Sequence, residues 1–171
     1  ILEDNPCLDP YAMKWTKLLS EHYACSWGEA IEVSLPSVLR RPRAAEIPPI
    51  ETPVIPHLKH ETFLLHDPAL SGYWEHLFTA LGKILLHGQS VIFLVPEVHQ
   101  IAGVVTKLKE NFEVPILALD RDLKTQEELD QWVSIKNGKA RIVVGTRSAV
   151  FAPVPALGAI VILEEESEGY R

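Results

Sequence analysis

The sequence predicts an α/β fold: a parallel β-sheet covered by helices on both faces, preceded by a short helical segment and a proline-rich linker. Three observations carry this. Short apolar runs without polar alternation recur at residues 62–66, 90–95, 115–119, 141–145 and 159–163, the pattern of strands buried on both faces. Stretches of helical length separate them at 72–87, 97–112 and 125–137, and strand, helix, strand repeated in this way builds a doubly wound layer through right-handed crossovers. The composition changes at residue 36, where prolines become dense. No internal repeat is visible.

The elements follow in order. Asp9-Pro10 is a helix start, an acid at the cap and Pro at the first helical position. Tyr11, Trp15, Leu18, Leu19 and His22 then recur at helical spacing up to Gly28, with Trp15 and Leu19 expected to face a core. A second short helix is expected over residues 29–35, ending at Pro36. Pro42, Pro48, Pro49, Pro53 and Pro56, interrupted by Arg40-Arg41-Pro42-Arg43, mark residues 36–60 as an extended, semi-rigid linker. The domain organisation expected is therefore residues 1–35 helical, 36–60 linker, and 61–171 the α/β lobe. In the lobe, Phe78 and Leu81 are expected to face the core.

At 171 residues with 47% apolar content the chain can bury one substantial core. It has no run of apolar residues long enough to cross a membrane and no basic-then-apolar leader. A first residue other than Met is what a fragment would show. Cys7 and Cys25 have no C-x-x-C partner, which argues against a zinc knuckle or disulfide framework and fits a reduced cytoplasm. A net charge of −7 disfavours generic nucleic-acid binding, so any DNA contact must be local.

Residues 64–74, Leu64-Leu65-His66-Asp67-Pro68-Ala69-Leu70-Ser71-Gly72-Tyr73-Trp74, have the outline of a strand running into a phosphate loop. A working loop reads G-x-x-x-x-G-K-[ST]: glycines let backbone N–H groups close on phosphates, Lys pairs with them and Ser/Thr holds Mg²⁺. Here Asp67 stands at the first Gly, Tyr73 at the Lys and Trp74 at the Ser/Thr. The plainer reading is a βα turn in which Ser71 caps the following helix.

Several segments together resemble the first helicase lobe of the PriA-type replication restart helicases, also called primosomal protein N-prime. Residues 140–153, Ala140-Arg141-Ile142-Val143-Val144-Gly145-Thr146-Arg147-Ser148-Ala149-Val150-Phe151-Ala152-Pro153, are similar to the family's A-R-I-V-I-G-T-R-S-A-L-F-A-P almost throughout. Val91-Ile92-Phe93-Leu94-Val95-Pro96-Glu97 resembles its V-L-V-L-V-P-E. Residues 158–166 resemble its G-x-I-I-V-D-E-E-H, with Leu163 in place of Asp and Glu166 in place of His, and Tyr170-Arg171 matches the Y-K that follows. His22-Tyr23-Ala24-Cys25-Ser26-Trp27-Gly28-Glu29 resembles the Y-Y-x-x-x-x-G-E of the family's N-terminal DNA-binding domain. The winged-helix region expected between residues 36 and 62 is missing.

The resemblance implies a three-layer RecA-like lobe of P-loop NTPase type, and a factor that binds branched or forked DNA, contacts single-strand-binding protein and helps assemble the primosome or load the helicase. It implies a bacterial, cytoplasmic, nucleoid-associated protein. The family uses ATP and Mg, and holds zinc in cysteine pairs later in its chain; neither metal nor cofactor is expected within these residues. The degenerate ATP site would comprise Asp67, Ser71, Gly72, Tyr73, Trp74 and Leu163, with Glu164 retained at the catalytic glutamate position. Losing one charge-assisted hydrogen bond costs about 1.5–3 kcal/mol, and Lys, Ser/Thr and Asp are all replaced. Pro68 and Leu70 stiffen the turn further. A protein without ATPase or helicase activity is the expectation; an ATP-dependent 3'-5' helicase working through an atypical phosphate loop is the alternative, and it needs a replacement cation near Tyr73, for which Lys83 lies too far along its helix.

Gly145, Thr146, Arg147 and Ser148 are intact, and by resemblance they form part of a DNA-facing surface. Arg suits bidentate phosphate contacts and the hydroxyls donate hydrogen bonds; an internal ion pair of Arg147 is the equal alternative. Arg40, Arg41 and Arg43 are a second candidate phosphate contact or a solvated cluster. The acidic residues Glu164, Glu165, Glu166 and Glu168 lack calcium-ligand spacing, and the seven histidines lack zinc spacing. An unrelated dinucleotide-binding domain is disfavoured by the absence of G-x-G-x-x-G after the first strand. A sheet ending after residue 163 is expected to leave an open strand edge.

Overall fold

The computed structural model describes residue 8 and residues 10–40, 61–66, 72–119 and 125–170. The expectations placed on Asp9, Arg41, Arg43, Asp67, Pro68, Leu70 and Ser71 lie outside the described residues.

Four strands, β1 (Ser90–Leu94), β2 (Ile116–Leu119), β3 (Ile142–Gly145) and β4 (Leu157–Ile162), form one sheet in the order β2-β3-β1-β4. Every pairing is parallel. The apolar runs place β1 and β3 at the centre, where all their residues are buried. Helix α3 (Tyr73–Leu86) leads into β1, α4 (Val98–Asn111) joins β1 to β2 and α5 (Thr125–Lys136) joins β2 to β3. Leu81 of α3 and Ile101, Val104 and Leu108 of α4 pack on Val91, Phe93, Ile142 and Val144. On the opposite face, Ile135 of α5 packs with Val143, and the 3₁₀ turn Arg147–Phe151 brings Ala149 onto Ile92 and Leu94. This division follows from handedness. The chain moves from β1 to β2 in one direction across the sheet and back to β3 in the other, so two right-handed crossovers must use opposite faces.

Close approaches fix the layers at two glycines. A Cβ on Gly158 would lie 2.5 Å from Ile84 Cγ2, and one on Gly145 would lie 2.7 Å from the Ala149 Cβ. Arg141, next to β3, reaches back to the C-terminal end of α3, its Nη2 donating to the Leu85 carbonyl at 3.2 Å and the Gln89 carbonyl at 2.7 Å. It thereby ties β3 to the last turn of α3, where carbonyls lack intrahelical partners, and to the turn that leads into β1.

The N-terminal segment is α1 (Pro10–His22) and α2 (Trp27–Ser34), the latter opened by a reciprocal capping box between Ser26 and Glu29. The expected helix up to Gly28 stops at His22, because Ala24 turns into the left-handed region at φ 52°. The expectation for Trp15 fails: it is 46% exposed, as is the apolar row of Tyr11 and Leu18. Instead α1 buries Thr16 and Ser20, and Thr16 Oγ1 accepts a hydrogen bond from Trp27 Nε1 at 3.1 Å. The start of the linker is a docked turn rather than an extended tether. In the 3₁₀ turn Ser37–Arg40, Leu39 is buried with Leu129 and Trp132 of α5, and Ser37 donates to the Glu128 carboxylate.

Residues 62–66 form no strand. They have no ladder partner in the sheet, and Phe63 and Leu64 are 83% and 76% exposed. The core expectation for Phe78 and Leu81 holds, with Leu81 1% exposed and Phe78 packed against the same cluster.

Candidate functional site

The carboxyl ends of the strands of an open α/β sheet are where ligand clefts form. Here a cleft of about 450 Å³ lies at that end, lined by Pro96, Glu97 and Val98 after β1, Thr146 and Arg147 after β3, and Glu168 and Gly169 after β4. Thus the structure brings Thr146 and Arg147 of the intact Gly145-Thr146-Arg147-Ser148 segment to one opening. Gly145 ends β3 and is buried, Arg147 is exposed, and Ser148 lies in the 3₁₀ turn that follows. Gly169 sets the wall: a Cβ there would lie 2.5 Å from the Pro96 carbonyl oxygen, so only glycine lets the turn Glu168–Tyr170 approach this closely. Sequence reasoning missed Glu97, Glu168 and Gly169 as lining residues. The signal available was position, since Pro96-Glu97 directly follows the central strand. The two carboxylates make the cleft one of mixed charge around Arg147.

Arg40 is placed elsewhere. Its Nε and Nη2 donate to the Leu35 carbonyl at 3.1 and 3.0 Å, closing the turn that docks on α5.

Tyr73 and Trp74, two of the residues expected at a degenerate phosphate loop, belong to an aromatic assembly. Gly72 is the cap residue of α3, with no side-chain capping bond. Trp74, expected to replace a hydroxyl, lies parallel to Phe93, with ring centroids 6.1 Å apart and planes 8° apart, and also packs on Tyr73 and Phe78. Lys107 of α4 sets its ammonium 4.6 Å from the Trp74 ring centroid, a cation–π geometry. Leu163, expected to replace a carboxylate, is partly buried and packs against the same apolar cluster as Trp74.

Glu164 follows Leu163 in the left-handed region at φ 52°. Its Oε1 accepts from Gln100 Nε2 at 3.0 Å, while Gln100 Oε1 accepts from the Glu97 amide at 3.2 Å. One amide side chain thus links the start of α4 to the end of β4. Tyr170 donates its hydroxyl to the Leu163 carbonyl at 2.8 Å. Burial, and then the charge of Glu164, push its phenol up to about 12. The folded chain holds this proton more tightly than the unfolded chain, so stability is full below the ordinary value of 10.0 and falls as pH rises towards about 12. Denaturation series between those limits should show the fall, and Tyr170→Phe should remove part of it.

Among the described residues no group of three or more His, Cys, Asp or Glu side chains could hold a metal ion. Nor is any described helix long and apolar enough to cross a membrane.

No protein-family profile matches the chain. It is 37% identical over 113 residues to the replication restart protein PriA of Bacillus subtilis (strain 168), a match spanning 66% of this chain and 14% of that protein. It is 33% identical over 118 residues to the PriA of Synechocystis sp., spanning 69% of this chain and 14% of the relative. To that of Haemophilus influenzae it is 34% identical over 115 residues, spanning 67% and 16%. The matched region is thus about one-seventh of the length of these curated relatives. Identity at this level over about two thirds of the residues, on a parallel α/β sheet consistent with a RecA-like lobe, makes this chain a divergent, PriA-like sequence.

Proposed function

We propose that this chain is a DNA-binding replication restart factor that helps assemble the primosome and does not hydrolyse ATP. The observation that carries the second half is the joint fate of Trp74 and Leu163, which pack against one apolar cluster at the two positions where an ATPase would hold Mg²⁺. Phosphoryl transfer needs a metal and a cation on the phosphates, and apolar side chains supply neither. The first half rests on the similarity to the replication restart protein PriA and on Thr146 and Arg147 at the mouth of the cleft. The cleft's other charged side chains are Glu97 and Glu168, which suits a local phosphate contact rather than a broad electropositive track. Branched or forked DNA, single-strand-binding protein and helicase-loading proteins are the partners this reading assigns, in a cytoplasmic, nucleoid-associated setting. The domain boundaries at residues 35 and 60 are part of the same reading.

One observation favours the alternative of an ATP-dependent 3'-5' helicase. Lys107 reaches the Trp74 ring from α4, so a neighbouring helix supplies a cation where α3 lacks one. Fluorescence anisotropy with a labelled fork and a blunt duplex, across a salt series and with or without Mg-ATP, separates the two. Fork preference unchanged by Mg-ATP is the expected result. A nucleotide-dependent shift would favour the helicase, equal binding to both DNAs would refute a preference for forks, and absent binding to both would refute the DNA-binding half.

A further inference from the structure

The grip of the sheet on β4 ends at Leu163, whose amide donates to the Leu94 carbonyl at 3.0 Å. Beyond it, residues 164–170 turn back and bring Glu168 and Gly169 to the cleft, with Gly169 against the Pro96 carbonyl. Glu164 opens this turn in the left-handed region at φ 52°, a conformation that a residue with a side chain keeps only where its surroundings hold it. One such hold comes from α4. Gln100 Nε2 donates to Glu164 Oε1 at 3.0 Å, while Gln100 Oε1 accepts from the Glu97 amide at 3.2 Å. Both ends of a single side chain are thus engaged, one at the start of α4 and the other on the turn.

The rest of the turn follows from Glu164. Its carbonyl accepts from the Ser167 amide at 2.8 Å, and the Ser167 carbonyl and hydroxyl accept from the amides of Tyr170 and Gly169, each at 3.3 Å. The Tyr170 hydroxyl then returns to the Leu163 carbonyl at 2.8 Å. A run of hydrogen bonds therefore leads from Glu164 to the residues that stand across β1 from Arg147. There is little slack at its end, because a Cβ on Gly169 would lie 2.5 Å from the Pro96 carbonyl oxygen. We propose that Gln100 is a positioning residue: by holding the Glu164 carboxylate it fixes the turn 164–170 as one wall of the cleft. Glu164, expected at a catalytic position, serves that wall instead. A fixed wall keeps water from the contact Arg147 makes, and a charged contact is stronger where water is kept away. This last consequence rests on the DNA-binding reading above; the placement of the turn does not.

Hydrogen–deuterium exchange and fork-binding anisotropy on the full chain test this with two variants. Gln100→Ala should speed exchange at the amides of Ser167, Gly169 and Tyr170 by about three- to tenfold, the opening expected when one hydrogen bond is lost, while the amides of β1 stay protected. Fork binding should weaken with it, by about threefold or more. The paired exchange Gln100→Glu with Glu164→Gln moves the acceptor to position 100 and the donor to position 164 at unchanged net charge, and should restore both measurements. Unchanged exchange in Gln100→Ala would overturn the proposal, as would failure of the paired exchange to slow the turn again. Faster exchange with undiminished fork binding would overturn it too, since the wall would then have no bearing on the cleft. If the unmodified chain binds no fork, the DNA-binding reading fails by itself, and the exchange pattern alone upholds or overturns the placement of the turn.

Discussion

Phe93→Ala is expected to lower stability by about 3–5 kcal/mol, the range for emptying an aromatic site in a core. Phe93 is fully buried at the centre of the sheet, between Val91 and Val95 in the cluster that α3 and α4 cover. Its ring lies parallel to Trp74, so the substitution removes both a core side chain and the platform of the aromatic assembly around Trp74. For a chain of this size each kcal/mol shifts the melting temperature by about 2–4 °C, so thermal denaturation should move down by roughly 6–20 °C. Tryptophan fluorescence should report the Trp74 environment opening in the same variant. A loss below about 1 kcal/mol would mean that the stack adds little to the solution structure.

Arg147→Ala is expected to weaken binding to forked DNA by about 10–150-fold, the equivalent of one charge-assisted hydrogen bond at about 1.5–3 kcal/mol. If Arg147 contacts a phosphate, the slope of log affinity against log salt should fall by about one as well. The two readings of this residue separate cleanly. A phosphate contact predicts weaker binding with an unchanged melting temperature, because Arg147 is exposed. An internal ion pair predicts a lower melting temperature with an unchanged salt slope. Thr146, beside it on the cleft wall, should show a smaller effect on substitution by Val, since a neutral hydrogen bond contributes about 0.5–1.5 kcal/mol.

Much of the lobe was legible because its signals are local. The apolar runs at 90–95, 115–119, 141–145 and 159–163 correspond to β1 to β4 within a few residues, and α3, α4 and α5 fall within the expected stretches. The run at 62–66 misled because strand formation depends on a pairing partner, which hydrophobicity does not reveal. Trp15 misled for a related reason. Helical spacing identifies an apolar stripe, but whether another element arrives to cover it is decided elsewhere in the chain, and α1 packs instead through Thr16 and Ser20. At the site, Thr146 and Arg147 stood out as part of a long matched segment. Glu97, Glu168 and Gly169 became visible as their neighbours only when three strand ends were brought side by side.

The sequence by itself determined the class of fold and the family likeness, since those depend on residue types in order along the chain. Tertiary structure alone decided that Trp74 and Leu163 share one apolar cluster, that Lys107 arrives from another helix, and that Gln100 holds Glu164. Each of these joins residues 33 to 89 positions apart. Contacts across such separations come from the stacking of layers and the order of strands, which no local pattern of side chains encodes.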